Sequence, residues 1–391
     1  MACEGLHQIW SPFLIIYKYF LMKASGSHKI ETFLNEGHGL DMRGVLQAYF
    51  NFIKRLLPDQ TPDVTVGLDV GTGDCKLVQL RKTAGQYELL AALVEPIKNG
   101  NITETVRSLL ASLPAPSKRV HVAVFGKGTL IRYIHMPKMA LADLKNSFTL
   151  EADKYFPFSR DQIYTDCYIL QEEEDSPQMA VLAAAVKREL VDQKVQLLQD
   201  LGITPEFIGL NAIALANIIH VVGDPTGFSE SAGALAILDM GESVSNVMIM
   251  KDRLPWFTRD IFIGGREFTK RISNALGVSF EEAEALKKSP GDFRDKVLES
   301  YESALLNMVR ELRLSFDYFA TERNTEVKRL LLTGGGAMLD GIAAMLSRNL
   351  EMEVQTWNPL SVLTRAEGIS DEDCQKKALK LGVALGLALY N

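Results

Sequence analysis

Two aspartates occupy the same place in two similar phrases. In residues 66–80, VGLDVGTGDCKLVQL, Asp69 ends an apolar strand and is followed by a turn containing Gly71, Thr72 and Gly73. The chain then resumes as a second apolar strand, with Leu77, Val78 and Leu80 and no helical stripe. In residues 235–250, LAILDMGESVSNVMIM, the same grammar returns around Asp239, Gly241 and Ser243. Glycines at a hairpin tip let backbone N–H groups converge on an anion, with no Cβ in the way. An aspartate just before such a turn can hold a hydrated Mg²⁺ that bridges phosphates. One such hairpin is weak evidence, because a tight hairpin with a structural Asp reads the same way. Two copies, set far beyond the roughly 20–50-residue period of stacked repeats, indicate a duplicated domain. A third glycine element, LLLTGGGAMLDGI at 330–342, places Gly334, Gly335 and Gly336 between a buried-type strand and an apolar helix. Together the three predict a nucleotide cleft with two phosphate clamps and a nucleoside support. Lys76, in the second strand of the first hairpin, either reaches a phosphate or snorkels from the hairpin edge.

Other chemistries find little support. The six histidines are scattered, and no Ser/His/Asp or metal-ligand constellation stands out. Cys3, Cys75, Cys167 and Cys374 form no C-x-x-C pair, which suits a reducing compartment. A formal net charge of −7 over 391 residues argues against a nucleic-acid partner. With 47% hydrophobic and 23% charged residues, the chain can bury a sizeable core.

The elements that must hold these residues follow from the apolar pattern. Strands are expected at 64–70, 75–80, 87–94 and 119–124, then at 129–136, 164–170 and 179–186. Helices are expected at 141–154, at 187–202 behind those last strands, at 211–221, and over the long amphipathic stretch 293–319. The acidic run 172–175 reads as a solvated hairpin loop. At the N-terminus, residues 9–22 are apolar but too short for a bilayer span and lack the features of a secretory signal. The texture changes at Met42, which reads either as the native start or as an internal methionine. The amphipathic helix that follows, 42–58, either packs on the domain or lies on a membrane surface.

The three glycine elements resemble the phosphate-1, phosphate-2 and adenosine motifs of the actin-like ATPase superfamily. From about residue 64 to 391 the sequence is similar to the PilM family of type IV pilus assembly proteins, with the cell-division protein FtsA as a neighbouring relative. Residues 136–158 (MPKMALADLKNSFTLEADKYFPF), 257–287 (FTRDIFIGGREFTKRISNALGVSFEEAEALK), NPL at 358–360 and ALGLAL at 384–389 carry the resemblance further. It implies an α/β, actin-like (duplicated ribonuclease H-like) two-domain fold with an inserted 1C (SHS2) subdomain. The expected boundaries are an N-terminal extension to 63, subdomain 1A over 64–125, 1C over 126–203 and a return to 1A over 204–233. Domain II is expected over 234–365, and the segment 366–391 returns to 1A.

The resemblance also implies ATP and Mg²⁺ as ligands. Asp69 and Asp239 would hold the metal through water. Glu284 and Lys287, three apart on one helical face, would reach the ribose and adenine, although a surface ion pair gives the same spacing. Where some hydrolytic relatives place a carboxylate, at the start of GLNAIALAN (209–217), this chain has Asn211. An amide can orient water but cannot take its proton, so weak or no ATPase activity is expected. The implied role is a cytoplasmic scaffold recruited to the inner face of the membrane by an N-terminal peptide of a PilN-like protein. That peptide would lie between 1A and 1C, against Thr129, Ile131, Tyr133, Met136, Tyr155 and Phe158. Pilus assembly ATPases and self-association are further partners to consider. An FtsA-like cell-division protein and a small-molecule kinase or ATPase are the alternatives. An FtsA-type amphipathic tail is not evident after residues 381–390.

Overall fold

The structure is a computed structural model that describes residues 63–117, 119–172, 176–223 and 233–390. The N-terminal extension with its 42–58 helix and most of the acidic run and of the 223–233 linker lie outside these residues.

Domain I starts with β1 (Asp63–Val70), β2 (Asp74–Thr83) and β3 (Gln86–Pro96), followed by α1 (Ile102–Ala111) and β4 (Arg119–Val124). An insertion follows, comprising β5 (Thr129–Pro137), α2 (Leu141–Tyr155), β6 (Ile163–Glu172) and β7 (Gln178–Lys187). The chain returns through α3 (Arg188–Gln199) to β8 (Phe207–Leu210) and α4 (Asn211–Val222). Domain II contains β9 (Ala234–Met240), β10 (Ser245–Lys251), β11 (Leu254–Ile261), α5 (Gly265–Leu276), α6 (Phe280–Lys288) and α7 (Arg294–Arg323). It continues through β12 (Val327–Thr333), α8 (Ile342–Leu350) and β13 (Glu353–Thr356). The closing segment is β14 (Thr364–Arg365), α9 (Asp371–Ala378) and α10 (Gly382–Ala388).

The duplication is visible in the sheets. Domain I has the order β14-β3-β2-β1-β4-β8, and domain II has β11-β10-β9-β12-β13. In each, an antiparallel three-strand meander continues into two parallel strands. Parallel strands covered on both faces need continuous apolar runs, and Ala234–Leu238 and Leu330–Leu332 provide them, all buried.

The inserted sheet has the order β5-β7-β6. One face carries α2, whose Leu144, Phe148 and Ala152 recur at helical spacing into a core with Met179, Val181 and Ala183. On the far side, β5 abuts β11 of domain II. One expected boundary moves, and one helix serves two sheets. Helix α3 lies behind the inserted sheet, with Val191 beside Leu182 and Ala184 of β7, and it also reaches domain I, where its Leu198 joins Val66, Leu68 and Val106. Amphipathic spacing shows that a helix has a buried face but does not identify the sheet that buries it. Thr364 and Arg365 pair with Glu88 and Leu89 of β3, so the chain has re-entered domain I before residue 366.

Helix α10 is buried on every side, between β1 and α4. Small residues permit this approach. A Cβ on Gly386 would lie 1.7 Å from the Ala214 carbonyl oxygen, and one on Gly67 would lie 1.9 Å from that of Ala384. That packing explains the ALGLAL pattern. Among the described residues, no helix is long and apolar enough to cross a membrane.

Candidate functional site

The two Asp-bearing hairpins face each other across the gap between the domains. Asp69 lies opposite Lys76 in the β1–β2 ladder, and Asp239 lies opposite Asn246 in the β9–β10 ladder. The duplicated hairpin therefore has a cation in one copy only. Lys76 Nζ donates to Asp69 Oδ2 at 2.9 Å, and Asp69 is 5% exposed. Lys76 thus neither extends into solvent nor waits free for a phosphate. Burial works against its ammonium, but the Asp69 carboxylate outweighs that and raises its pKa. Asp239 has no lysine opposite it. Burial pushes its carboxyl up to about 6; the Lys76 ammonium pulls it down and the Asp69 carboxylate pushes it up.

The hairpin tips touch. Thr72 Oγ1 donates to Glu242 Oε2 at 3.4 Å, and Ser243 Oγ donates to Thr72 Oγ1 at 3.4 Å. The Glu242 carboxylate lies over Gly73, where any Cβ would collide with it. Glu242 is a contact that the sequence pattern did not single out, since the turn reads only as Gly plus small polar residues.

The third glycine turn adjoins the same point. Gly334 has φ +84°, and a Cβ there would lie 2.4 Å from Asp239 Oδ1, so a glycine meets both demands. Gly336 packs on Met240, while Gly335 is exposed beside Lys380. Lys380 Nζ donates to Asp74 Oδ2 at 2.6 Å, tying the closing segment to the first hairpin. Neither residue of this pair was legible as a site residue.

Glu284 and Lys287 are more than a solvated pair. Lys287 Nζ donates to Glu284 Oε2 at 2.5 Å, to Thr269 Oγ1 at 2.7 Å and to the Gly265 carbonyl at 3.2 Å. Ser279 caps α6 with a reciprocal capping box through Glu282, which fixes the helix that carries them. Gly265 N–H in turn donates to the Gly241 carbonyl at 2.9 Å. A continuous set of contacts thus runs from α6 to the second hairpin. Burial lowers the Lys287 pKa against the pull of Glu284, while Lys287 and Thr269 hold the Glu284 carboxyl down despite its burial.

The donor set fits a magnesium nucleotide. Asp69 and Asp239 are close enough to act on each other's charge, and the Gly334 turn lies against Asp239; Mg²⁺ usually takes one or two protein carboxylates plus phosphates and water.

Asn211 opens α4 and is 8% exposed, with its Oδ1 buried and unpartnered. It lines a cleft of about 420 Å³ with Thr129, Ile131 and Phe158 on one side and Asn246 and Phe262 of domain II on another. The expected partner residues therefore divide. Thr129, Ile131 and Phe158 share this cleft, and Tyr133 packs against the larger core. Met136 is a correction: it is 5% exposed inside the inserted subdomain's own core, at the far end of β5. Tyr155 stacks on Phe148 with ring centroids 5.7 Å apart and also belongs to that core. The cleft has domain II as a wall, so it is not bounded by 1A and 1C alone.

Comparison with known proteins agrees with this architecture. A solved structure described as the PilM-PilN type IV pilus biogenesis complex superposes with a TM-score of 0.74 at 23% identity, covering 83% of this chain and 97% of that one. The ethanolamine utilization protein EutJ from Carboxydothermus hydrogenoformans gives 0.50 at 16% identity, covering 89% of this chain and 99% of the other. The fold is actin-like, with two α/β domains. The family described as type IV pilus assembly protein PilM matches residues 67–391, and the chain belongs to that family.

Proposed function

We propose that the protein is a nucleotide-binding scaffold of the type IV pilus inner-membrane assembly complex, which docks the N-terminal peptide of a PilN-like membrane protein. The observation that carries this reading is the convergence of Asp69, Asp239 and Gly334 on one gap, with Lys76 and Lys287 already held in place by carboxylates. ATP with Mg²⁺ would lie there, its phosphates on the two hairpin turns and its nucleoside toward Gly334–Gly336 and the α6 pair. When bound, the metal would neutralise phosphate charge between the two aspartates. Asn211 supports a binding role over rapid turnover, because its amide can orient a water but cannot act as a base. Single-turnover hydrolysis is expected well below the roughly 1–100 s⁻¹ of kinases.

The described structure of a PilM-PilN complex supports the choice of partner. For the docking surface, the 420 Å³ cleft beside Thr129, Ile131 and Phe158 is the best fit, since it offers apolar walls and one unpartnered amide oxygen, Asn211 Oδ1, to an extended peptide. The test is titration of a PilN-like N-terminal peptide against wild type and against Ile131→Ala with Phe158→Ala. Loss of about 2 kcal/mol or more of peptide binding, with ATP affinity kept, is expected for buried apolar anchors. Unchanged peptide affinity would move the docking site elsewhere, and no binding by wild type would remove the partner assignment.

A further inference from the structure

Lys194 lies on α3, outside every motif considered so far. Its Nζ donates to the Val70 carbonyl at 3.2 Å, at the last residue before the Gly71–Gly73 turn. The charged groups around it are Asp69 and Lys76, with the Cys75 thiol also close. The other lysines of the cleft are neutralised: Lys76 by Asp69, Lys380 by Asp74 and Lys287 by Glu284. Among the described residues, Lys194 has no carboxylate within ion-pair distance. It is half-buried, and burial pulls its pKa down against the attraction of Asp69. A desolvated ammonium with only a carbonyl partner is stabilised by an incoming anion far more than a solvated or already paired one.

We propose that Lys194 is a phosphate-binding residue of the nucleotide site, which supplies positive charge to the phosphate-1 turn when a polyphosphate occupies it. The proposal rests on the reading of the cleft as a nucleotide site. The residue's position adds a consequence. Helix α3 begins where β7, the central strand of the inserted sheet, ends, and its Leu198 is seated in the domain I core. A phosphate held by Lys194 therefore bears on the element that joins the inserted subdomain to the nucleotide domain.

The experiment is calorimetric titration of the full chain, as wild type, Lys194→Gln and Lys194→Arg, with MgATP, MgADP and adenosine, with melting temperatures recorded for each. Lys194→Gln is expected to lose about tenfold or more in MgATP affinity, the loss of one charge-assisted hydrogen bond. Adenosine binding should not change, and Lys194→Arg should recover most of the MgATP affinity. A merely structural lysine would shift the melting temperature and weaken all three ligands alike. Equal MgATP affinity in wild type and Lys194→Gln would overturn the role of Lys194 and leave the nucleotide site standing. Failure of wild type to bind any of the three would overturn both. If Lys194→Gln does not fold, Lys194→Met provides the same comparison, with the aliphatic stem retained.

Discussion

At the residue scale, the two hairpin aspartates have opposite electrostatic situations. Asp69 is paired with Lys76, and leaving one partner of a buried pair alone costs about 3–5 kcal/mol. Lys76→Met should therefore destabilise the protein by about that amount in denaturant unfolding, and adding Asp69→Asn should restore part of it. Asp239 behaves differently, because its carboxyl is raised from 3.8 to about 6. The folded state then holds the proton more tightly than the unfolded chain, so this group's contribution to stability falls as pH rises from about 4 through 6. Above that window the penalty is fully present and amounts to no more than about 3 kcal/mol. Asp239→Asn should stabilise the nucleotide-free protein at pH 7 and flatten the pH 4–6 slope of its melting temperature. A less stable variant, or an unchanged slope, would contradict this. The Asp-Gly phrases made both aspartates visible in the sequence. Their partners were not visible, because the ladder pairing that puts Lys76 beside Asp69 and Asn246 beside Asp239 exists only once the register is set. Lys194 and Lys380 were invisible because each comes to the first hairpin from a distant element, while Glu242 lies in the second turn and its contact with Thr72 exists only once the two hairpins meet.

At the element scale, the strands were readable because buried parallel strands are continuous apolar runs, as in Leu330–Leu332. The assignment of helices to sheets was less so. The apolar side of α3 contains Leu198, which the sequence could equally have placed on either sheet. Met136 was expected among the peptide contacts because it ends the strand 129–136 at the start of the insertion, but its side of the strand faces the core of the insertion. Helix α10 shows how narrowly one element can be specified. Its Gly386 approaches the Ala214 carbonyl so closely that even a methyl group forces the helices apart. Gly386→Ala should cost about 1–3 kcal/mol, the usual range for overpacking. Calorimetric unfolding would check this, and a neutral result would mean that α10 and α4 are less tightly joined than their contact implies. Because α10 also packs on β1, the same variant should weaken nucleotide binding indirectly.

At the scale of the whole molecule, the duplicated sheets place one Asp hairpin on each side of a single gap, and the closing segment links them. Lys380 joins that segment to Asp74 of the first hairpin, while Thr333 Oγ1, at the start of the glycine turn, donates to the Leu379 carbonyl at 2.8 Å. If a nucleotide occupies the site as proposed, such a connection would transmit its presence to the angle between domains. The cleft beside Asn211 is walled by residues of both domains, so a change in that angle would also reshape it. The central claim is that the gap binds a magnesium nucleotide through both hairpins, and the most direct measurement is calorimetric titration of MgATP into wild type, Asp69→Ala and Asp239→Ala. The account predicts saturable binding to wild type and a loss of about tenfold or more in each variant, with adenosine affinity unaffected. Binding of equal strength in all three proteins would contradict it.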